Sequence, residues 1–254
     1  MIKMKLIVFI ASSLIGCSSN NFFMDMSKSQ DKFNQHQSNK ILAFMDIETM
    51  FPEPKLRSLA DAAARGKIQR VNELVKSGVD VNARGHRNAT ALFWAMKNES
   101  GFKALLKLGA DPNVVFDDGG SVIHWAARME DATLLELALQ NGGNPNLKAG
   151  MLEGPPLSET IHLDIRLGIP ESFKVLIKHH ADLNQKDKLG STPLITAAHL
   201  ARFDIVYELL KRGADPSILE LKKIMKRKEK LLLPNSQSVI WLRKVEDWIE
   251  DFIK

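Results

Sequence analysis

Residues Gly190 to Pro216 read GSTPLITAAHLARFDIVYELLKRGADP, and this stretch decides the fold. Thr192 is suited to cap a helix, and Pro193 suits the first turn, where a missing N–H costs nothing. Leu194, Ala197 and Ala198 fall on one helical face, and the two alanines let a second helix approach closely. Ile205, Val206, Leu209 and Leu210 give that second helix its apolar side. Gly213 permits a left-handed residue after it. One such helix pair cannot bury its own apolar face and needs neighbours.

The same spacing recurs upstream. From the apolar residue that opens the first helix to the glycine after the second is 19 residues for Leu194 to Gly213, for Ile123 to Gly142 and for Leu59 to Gly78. From Leu92 to Gly109 it is 17, so that unit is two residues shorter between its helices. A divergent unit, PPLSETIHLDIRLGIPESFKVLIKHHADLN, precedes the last, and His180 takes its glycine slot. Either Leu157 opens its first helix with an insertion of four, or Ile161 opens it without one. The units end in GVDVN, GADPN, GGNPN, HADLN and GADPS, a repeated signature at the period of a solenoid.

Gly190, Thr192, Pro193, Leu194, Ala197, Ala198, Leu209, Leu210, Gly213, Ala214 and Asp215 stand in the register of an ankyrin repeat, which the stretch resembles nearly whole. The departures are Ile195, where His is usual, and Ala201, where Gly is usual. The resemblance implies an all-α ankyrin-repeat solenoid of about five degenerate helix-turn-helix repeats over residues 55–217, with short hairpin tips. A helical C-terminal cap over 218–254 is expected, because Val239, Leu242, Val245, Trp248, Ile249 and Phe252 recur at helical spacing beyond the break at Pro234 and Asn235. The basic run Lys222 to Lys230 reads as the solvated face of that cap, with a membrane-surface role as the alternative.

The amino end reads differently. Lys3 and Lys5 precede an apolar run, Leu6 to Ser13, that is too short to span a bilayer. Leu14-Ile15-Gly16-Cys17 comes next and resembles a bacterial lipoprotein signal, which implies a leader over 1–16 and an acyl group on Cys17. Cys17 is the single cysteine of the chain, so no disulfide can form within it. Ser18 rather than Asp stands after it, which in that family favours the outer membrane and hence a periplasmic location. Residues 17–54 would be the anchor, a polar tether over Ser18 to Asn39 and an N-terminal cap helix over Ile41 to Phe51. A start at Met24 or Met26 would instead yield a minor cytosolic form without lipid.

Composition bounds the function. With 254 residues and 44% hydrophobic content the chain can bury a sizeable core. The net charge of +5 is mild and its basic residues are mixed with acids, so no nucleic-acid footprint is expected. No nucleophile elbow, phosphate loop or zinc helix motif occurs, and neither an enzymatic activity, a cofactor nor a small-molecule substrate is expected. His179-His180 is not read as a metal pair, since adjacent helical residues diverge by about 100°.

A protein partner remains. By resemblance, ankyrin repeats meet partners on the concave face of the first helices and at the tips. The position after the His slot is Asp61, Trp94, Trp125 and Thr196, so Trp94 and Trp125 are expected to be adjacent there with Arg128 and Met129 beside them. Each Trp could instead merely cover the helix beneath it. The tips would be Arg84, His86 and Arg87, then Phe116 to Gly119 with Asp117 and Asp118, then Lys148 to Glu153 with Met151, then Lys186 to Leu189 with Lys188. Phe116 and Met151-Leu152 are apolar where a turn has no evident structural need of them. A lipid-anchored ankyrin domain in the periplasm resembles the immunity lipoproteins of type VI secretion, which bind and block a toxic effector, often a phospholipase. An envelope scaffold or assembly factor for a resident enzyme or complex is the alternative.

Overall fold

In the computed structural model, residues 46–162 and 168–254 are described. The leader, Cys17, the tether and residues 41–45 of the expected N-terminal cap lie outside them, as does part of the fourth repeat. The described elements are helices, and the only extended pairings among them are isolated bridges at hairpin tips. None of the helices is long and apolar enough to cross a membrane.

A single turn, α1 (Ile47–Met50), is capped by Asp46, which accepts from the amides of Glu48 and Thr49. Five helix pairs come after it. They are α2 (Pro54–Ala64) with α3 (Ile68–Lys76), α4 (Ala91–Trp94) with α5 (Glu99–Lys107), and α6 (Val122–Ala127) with α7 (Thr133–Gln140). The last two are α8 (Pro156–Glu159) with α9 (Glu171–Lys178), and α10 (Pro193–His199) with α11 (Phe203–Lys211). Thr90, Ser121 and Thr192 cap the first helix of their pairs, each accepting from the amide three residues on. The fourth pair begins at Pro156-Leu157 in the position of Pro193-Leu194, so Leu157 rather than Ile161 opens its first helix. Ile161 is buried in the 3-10 turn that extends α8.

Small residues set the spacing. Ala63, Ala126, Ala127, Ala197 and Ala198 on the first helices, and Ala95 in the 3-10 turn that continues α4, are completely buried. Gly101 lets α5 lie on the backbone of α2: a Cβ there would stand 1.8 Å from the Ala63 carbonyl oxygen. Large side chains fill the second layer, with Phe102, Leu135, Phe173, Leu176, Phe203 and Leu209 fully buried. Two glycine slots are filled by other residues at the same backbone angle. His180 has φ 61° after α9, and Ala201 has φ 56° where the first pair has Gly66 at 66°.

The repeated endings have a mechanical role. In each, the acidic or amide residue accepts from the amide two residues on: Asp80 from Asn82, Asp111 from Asn113, Asn144 from Asn146, Asp182 from Asn184 and Asp215 from Ser217. Held in that turn, the asparagine side chain reaches the next repeat. Asn82 Nδ2 donates to the Gly109 carbonyl at 2.9 Å and its Oδ1 accepts from Asp111 N at 2.8 Å. Asn113 repeats the clamp on Gly142 O at 2.9 Å and Asn144 N at 2.6 Å. Asn146 accepts from Asp182 N and Asn184 from Asp215 N.

The ladder ends at Ser217, which has no amide side chain to pass on. A sixth helix pair is nevertheless stacked beyond it. Helix α12 (Ile218–Glu229) packs on α10, and α13 (Gln237–Ile253) packs on α11, with Tyr207 and Trp241 5.6 Å apart. Leu221, Ile224, Met225, Leu242, Val245 and Ile249 close the core at this end.

Replacing Asn113 by Ala removes both inter-repeat bonds and should lower unfolding stability by about 1–2 kcal/mol. Urea denaturation read by far-ultraviolet circular dichroism measures this, and an unchanged midpoint would deny the clamp its role.

Candidate functional site

Four hairpin tips project between successive repeats. Three are closed by bridges between Arg84 and Thr90, Val115 and Ser121, and Ala149 and Gly154. The fourth is closed by Asp187 N donating to Ser191 O at 3.0 Å. The tips are tied to one another through their backbones. Asp117 N donates to Arg87 O at 3.1 Å, Gly150 N to Gly119 O, and Lys188 N to Leu152 O at 2.7 Å. Asn88 Nδ2 adds a bond to Val115 O at 2.6 Å. Glycine suits the approach of the second tip to the third, since Gly119 has φ 81° and a Cβ on it would stand 3.1 Å from the Gly150 carbonyl oxygen. The tips therefore form one continuous edge rather than four independent loops.

Three tip residues hold left-handed angles without being glycine: Arg87 at φ 57°, Asn88 at 62° and Glu153 at 48°. Such angles cost on the order of 1 kcal/mol each. They persist because inter-tip bonds fix their neighbours. Arg84, His86 and Arg87 are exposed on the first tip, and Asp117 and Asp118 on the second, where Asp118 accepts from Gly120 N. On the third and fourth tips the edge turns apolar. Met151 is 82% exposed, and Leu152 and Leu189 are exposed beside it. Glu153 pairs with Lys188 at 3.0 Å across these two tips.

Phe116 is the exception among the tip residues. It is only 7% exposed, with its ring centroid 4.8 Å from that of Phe93. The expectation of an exposed apolar tip residue is corrected there. Phe93 stands in the slot that His124 holds in the next repeat, and an aromatic pair replaces the histidine tether. Where the histidine is present, Nδ1 lies 2.8 Å from Ser121 Oγ and Nε2 3.1 Å from the Gly154 carbonyl oxygen, joining helix to tip.

The tryptophans separate as well. Trp94 is 4% exposed and meets Phe51 edge-on at 5.8 Å, so it belongs to the core and is not a neighbour of Trp125 on the surface. A residue preceding the repeats supplies its partner, which helical register alone does not show. The Lys97 ammonium lies 3.5 Å over the Trp94 ring, and burial pulls its pKa below the ordinary lysine value. Trp125 is half-buried, its ring tilted against Phe93 at 6.1 Å. The exposed Arg128 guanidinium lies 5.6 Å from the Trp125 ring, and its Nε donates to Glu159 Oε2 at 2.6 Å. Met129 is half-buried beside it in sequence. Glu159 occupies in the fourth repeat the slot of Trp125 in the third, so the pair runs along the row of first helices. Leu152 and Leu189 lie within the tips expected from the sequence, and Glu159 extends the candidate surface beyond that set. The apolar tip runs carry a signal for the two leucines, whereas Glu159 lies in the repeat of ambiguous register.

On the opposite layer, His179 Nε2 lies 3.2 Å from Glu136 Oε2, and Lys178 also reaches that carboxylate. His180 is spent on its left-handed slot.

Replacing Trp94 by Ala should cost about 3–5 kcal/mol in denaturant unfolding, whereas Trp125→Ala should cost about 1 kcal/mol. Equal losses would place Trp125 in the core. Burial holds the His124 pKa below the ordinary histidine value, against a weaker opposing pull from its bond to Gly154. The unfolded chain then takes up the proton first. Stability should be full above about pH 6.5 and fall as pH drops through the window below it. Thermal melts across that window should show the slope, and His124→Asn should flatten it; an identical slope in the variant would contradict the assignment.

A family model described as ankyrin repeats (3 copies) matches residues 59–149 and 123–220. Protein PhlB of Serratia liquefaciens is 35% identical over 147 residues, which cover 57% of this chain and 63% of that protein. Mitochondrial disaggregase of Homo sapiens is 32% identical over 174 residues, covering 65% of this chain and 23% of that protein. Palmitoyltransferase ZDHHC13 of Mus musculus is 27% identical over 169 residues, covering 65% and 26%. The chain thus spans less than two thirds of the length of each of these relatives. With its clamped helix pairs and stacked tips, it belongs to the ankyrin-repeat family, whose repeats serve protein–protein interaction.

Proposed function

We propose that this chain is a lipid-anchored immunity protein of the bacterial envelope that binds and neutralises one toxic enzyme, with a type VI secretion phospholipase as the favoured target. The observation that carries the reading is the row of tips, backbone-bonded into one edge, with Met151, Leu152 and Leu189 left in solvent next to the Glu153–Lys188 pair. Exposed apolar side chains rimmed by charge mark an interface. An edge already held in shape loses little freedom on binding, which favours tight inhibition. Trp125 and Arg128 lie at the adjoining first helix of the third repeat and are of the types that most often anchor interfaces. The Leu14-Ile15-Gly16-Cys17 box supports an anchor that would hold the inhibitor where the toxin acts and raise its local concentration there.

The binding residues in this reading are Met151, Glu153, Lys188, Leu152 and Leu189 on the tips, with Trp125, Arg128 and Met129 on the helices. Arg84, His86, Arg87, Asp117 and Asp118 would extend the contact as a charged rim that steers the partner. Trp94 and Phe116 support the surface from beneath.

Deleting the gene should make the strain sensitive to sibling cells with an active secretion system. The native chain should restore protection, and a chain carrying Met151→Asp with Leu189→Asp should not. Both positions are exposed, so folding should be kept and can be checked by thermal melting. Full resistance of the deletion strain would sink the immunity reading. A growth or envelope defect independent of neighbours would favour a scaffold for a resident enzyme.

A further inference from the structure

The outer side of α12 is a basic surface that the protein-binding reading does not use. The core takes Leu221, Ile224 and Met225, which lie together on the helical wheel. The opposite arc carries Lys222, Lys223, Lys226 and Lys230, all exposed, and none is ion-paired among the described residues. Arg227 flanks them, with its guanidinium 3.3 Å from His199 Nδ1. Of the two acids on the helix, Glu229 is engaged by Arg243 of α13, and Glu220, exposed in the first turn, stands at the edge of the arc and offsets one of its charges. The four lysines thus project from a helix about 18 Å long with like charges side by side.

Leucine stands at both ends of this arc. Leu219 is 89% exposed in the first turn, and Leu231 and Leu233 are exposed just past the last. A helix that has already buried one apolar side has no need of them. We propose that this face of α12 docks on an anionic phospholipid surface, with the lysines over the headgroups and the leucines entering the acyl boundary.

The pattern selects this occupant over others. A protein partner favours an apolar centre with a charged rim, whereas here charge fills the centre and apolar side chains stand at the ends. Grooves for single-stranded nucleic acid interleave aromatic rings with basic residues, and the arc has none. Lysine-rich surfaces with flanking leucine suit a diffuse negative layer, to which each nearby Lys or Arg adds about a fivefold gain in affinity. The inference depends neither on acylation of Cys17 nor on the identity of a toxin. With an anchor at the amino end, a second contact through the cap would fix the orientation of the tips relative to the bilayer.

The test is vesicle co-sedimentation of the full chain carrying Cys17→Ser, so that an acyl group cannot contribute. Vesicles of phosphatidylcholine with phosphatidylglycerol are compared with phosphatidylcholine alone. Binding should need phosphatidylglycerol, weaken with added salt, and drop by more than about a hundredfold in a Lys223→Glu, Lys226→Glu, Lys230→Glu chain. Leu219→Ser with Leu231→Ser should weaken it severalfold at unchanged lipid charge. Unaltered thermal melts would show that the variants fold. Equal binding to neutral vesicles, indifference to the lysine changes, or tighter retention on duplex DNA than on the anionic vesicles would overturn the proposal. Because no toxin enters this experiment, its failure would leave the immunity reading standing, and a fully resistant deletion strain would leave this one standing.

Discussion

The structure depends on the asparagine that ends each repeat. A helix pair of this size has one apolar side too many, and its neighbour must arrive at a fixed distance and angle. Packing alone supplies the attraction but is tolerant of sliding. The Asn82 and Asn113 side chains each bond a carbonyl at the end of the next repeat and an amide in its closing turn, and only one register satisfies both. Each asparagine is itself held by an acid two residues before it. The geometry is therefore handed from repeat to repeat and stops where Ser217 replaces the amide.

Function inherits this constraint. Tips distant from one another in the chain meet as one edge because the repeats beneath them are in register. The bonds from Asp117 to Arg87, Gly150 to Gly119 and Lys188 to Leu152 then remove freedom that a binding loop usually loses on association. Polarity changes along the edge, from the Arg84, His86 and Arg87 end to the Met151, Leu152 and Leu189 end. An edge graded in this way discriminates one shaped partner from a uniform polyanion. The cap carries charge of another kind, concentrated on one helix face and placed at the end of the stack.

The fold is legible in the sequence because its determinants are local and repeated. Thr192 capping Pro193, the alanine pairs and the glycine slots each announce themselves within one repeat. His180 can be read into a glycine slot because the flanking spacing leaves it no other role. Trp94 and Phe116 are misplaced by register for the converse reason. The burial of each depends on a residue in another segment, Phe51 before the first repeat for Trp94 and Phe93 in the preceding helix pair for Phe116. Periodicity reports which side of a helix a residue occupies, but not whether a neighbouring ring covers it. Glu159 is hidden because Leu157 and Ile161 are equally good openings for its helix, and the choice rests on how Pro156 starts it.

We propose the stacked tips and the first-helix row at Trp125 as the surface that meets the partner. Amide hydrogen exchange of the chain, alone and saturated with the partner captured from the source strain, tests it most directly. Slowed exchange centred on residues 148–154 and 186–191, with lesser protection at 84–90 and 115–121, is the predicted result. Protection confined to the opposite layer, α3, α5, α7 and α9, with the tips unchanged, would contradict it.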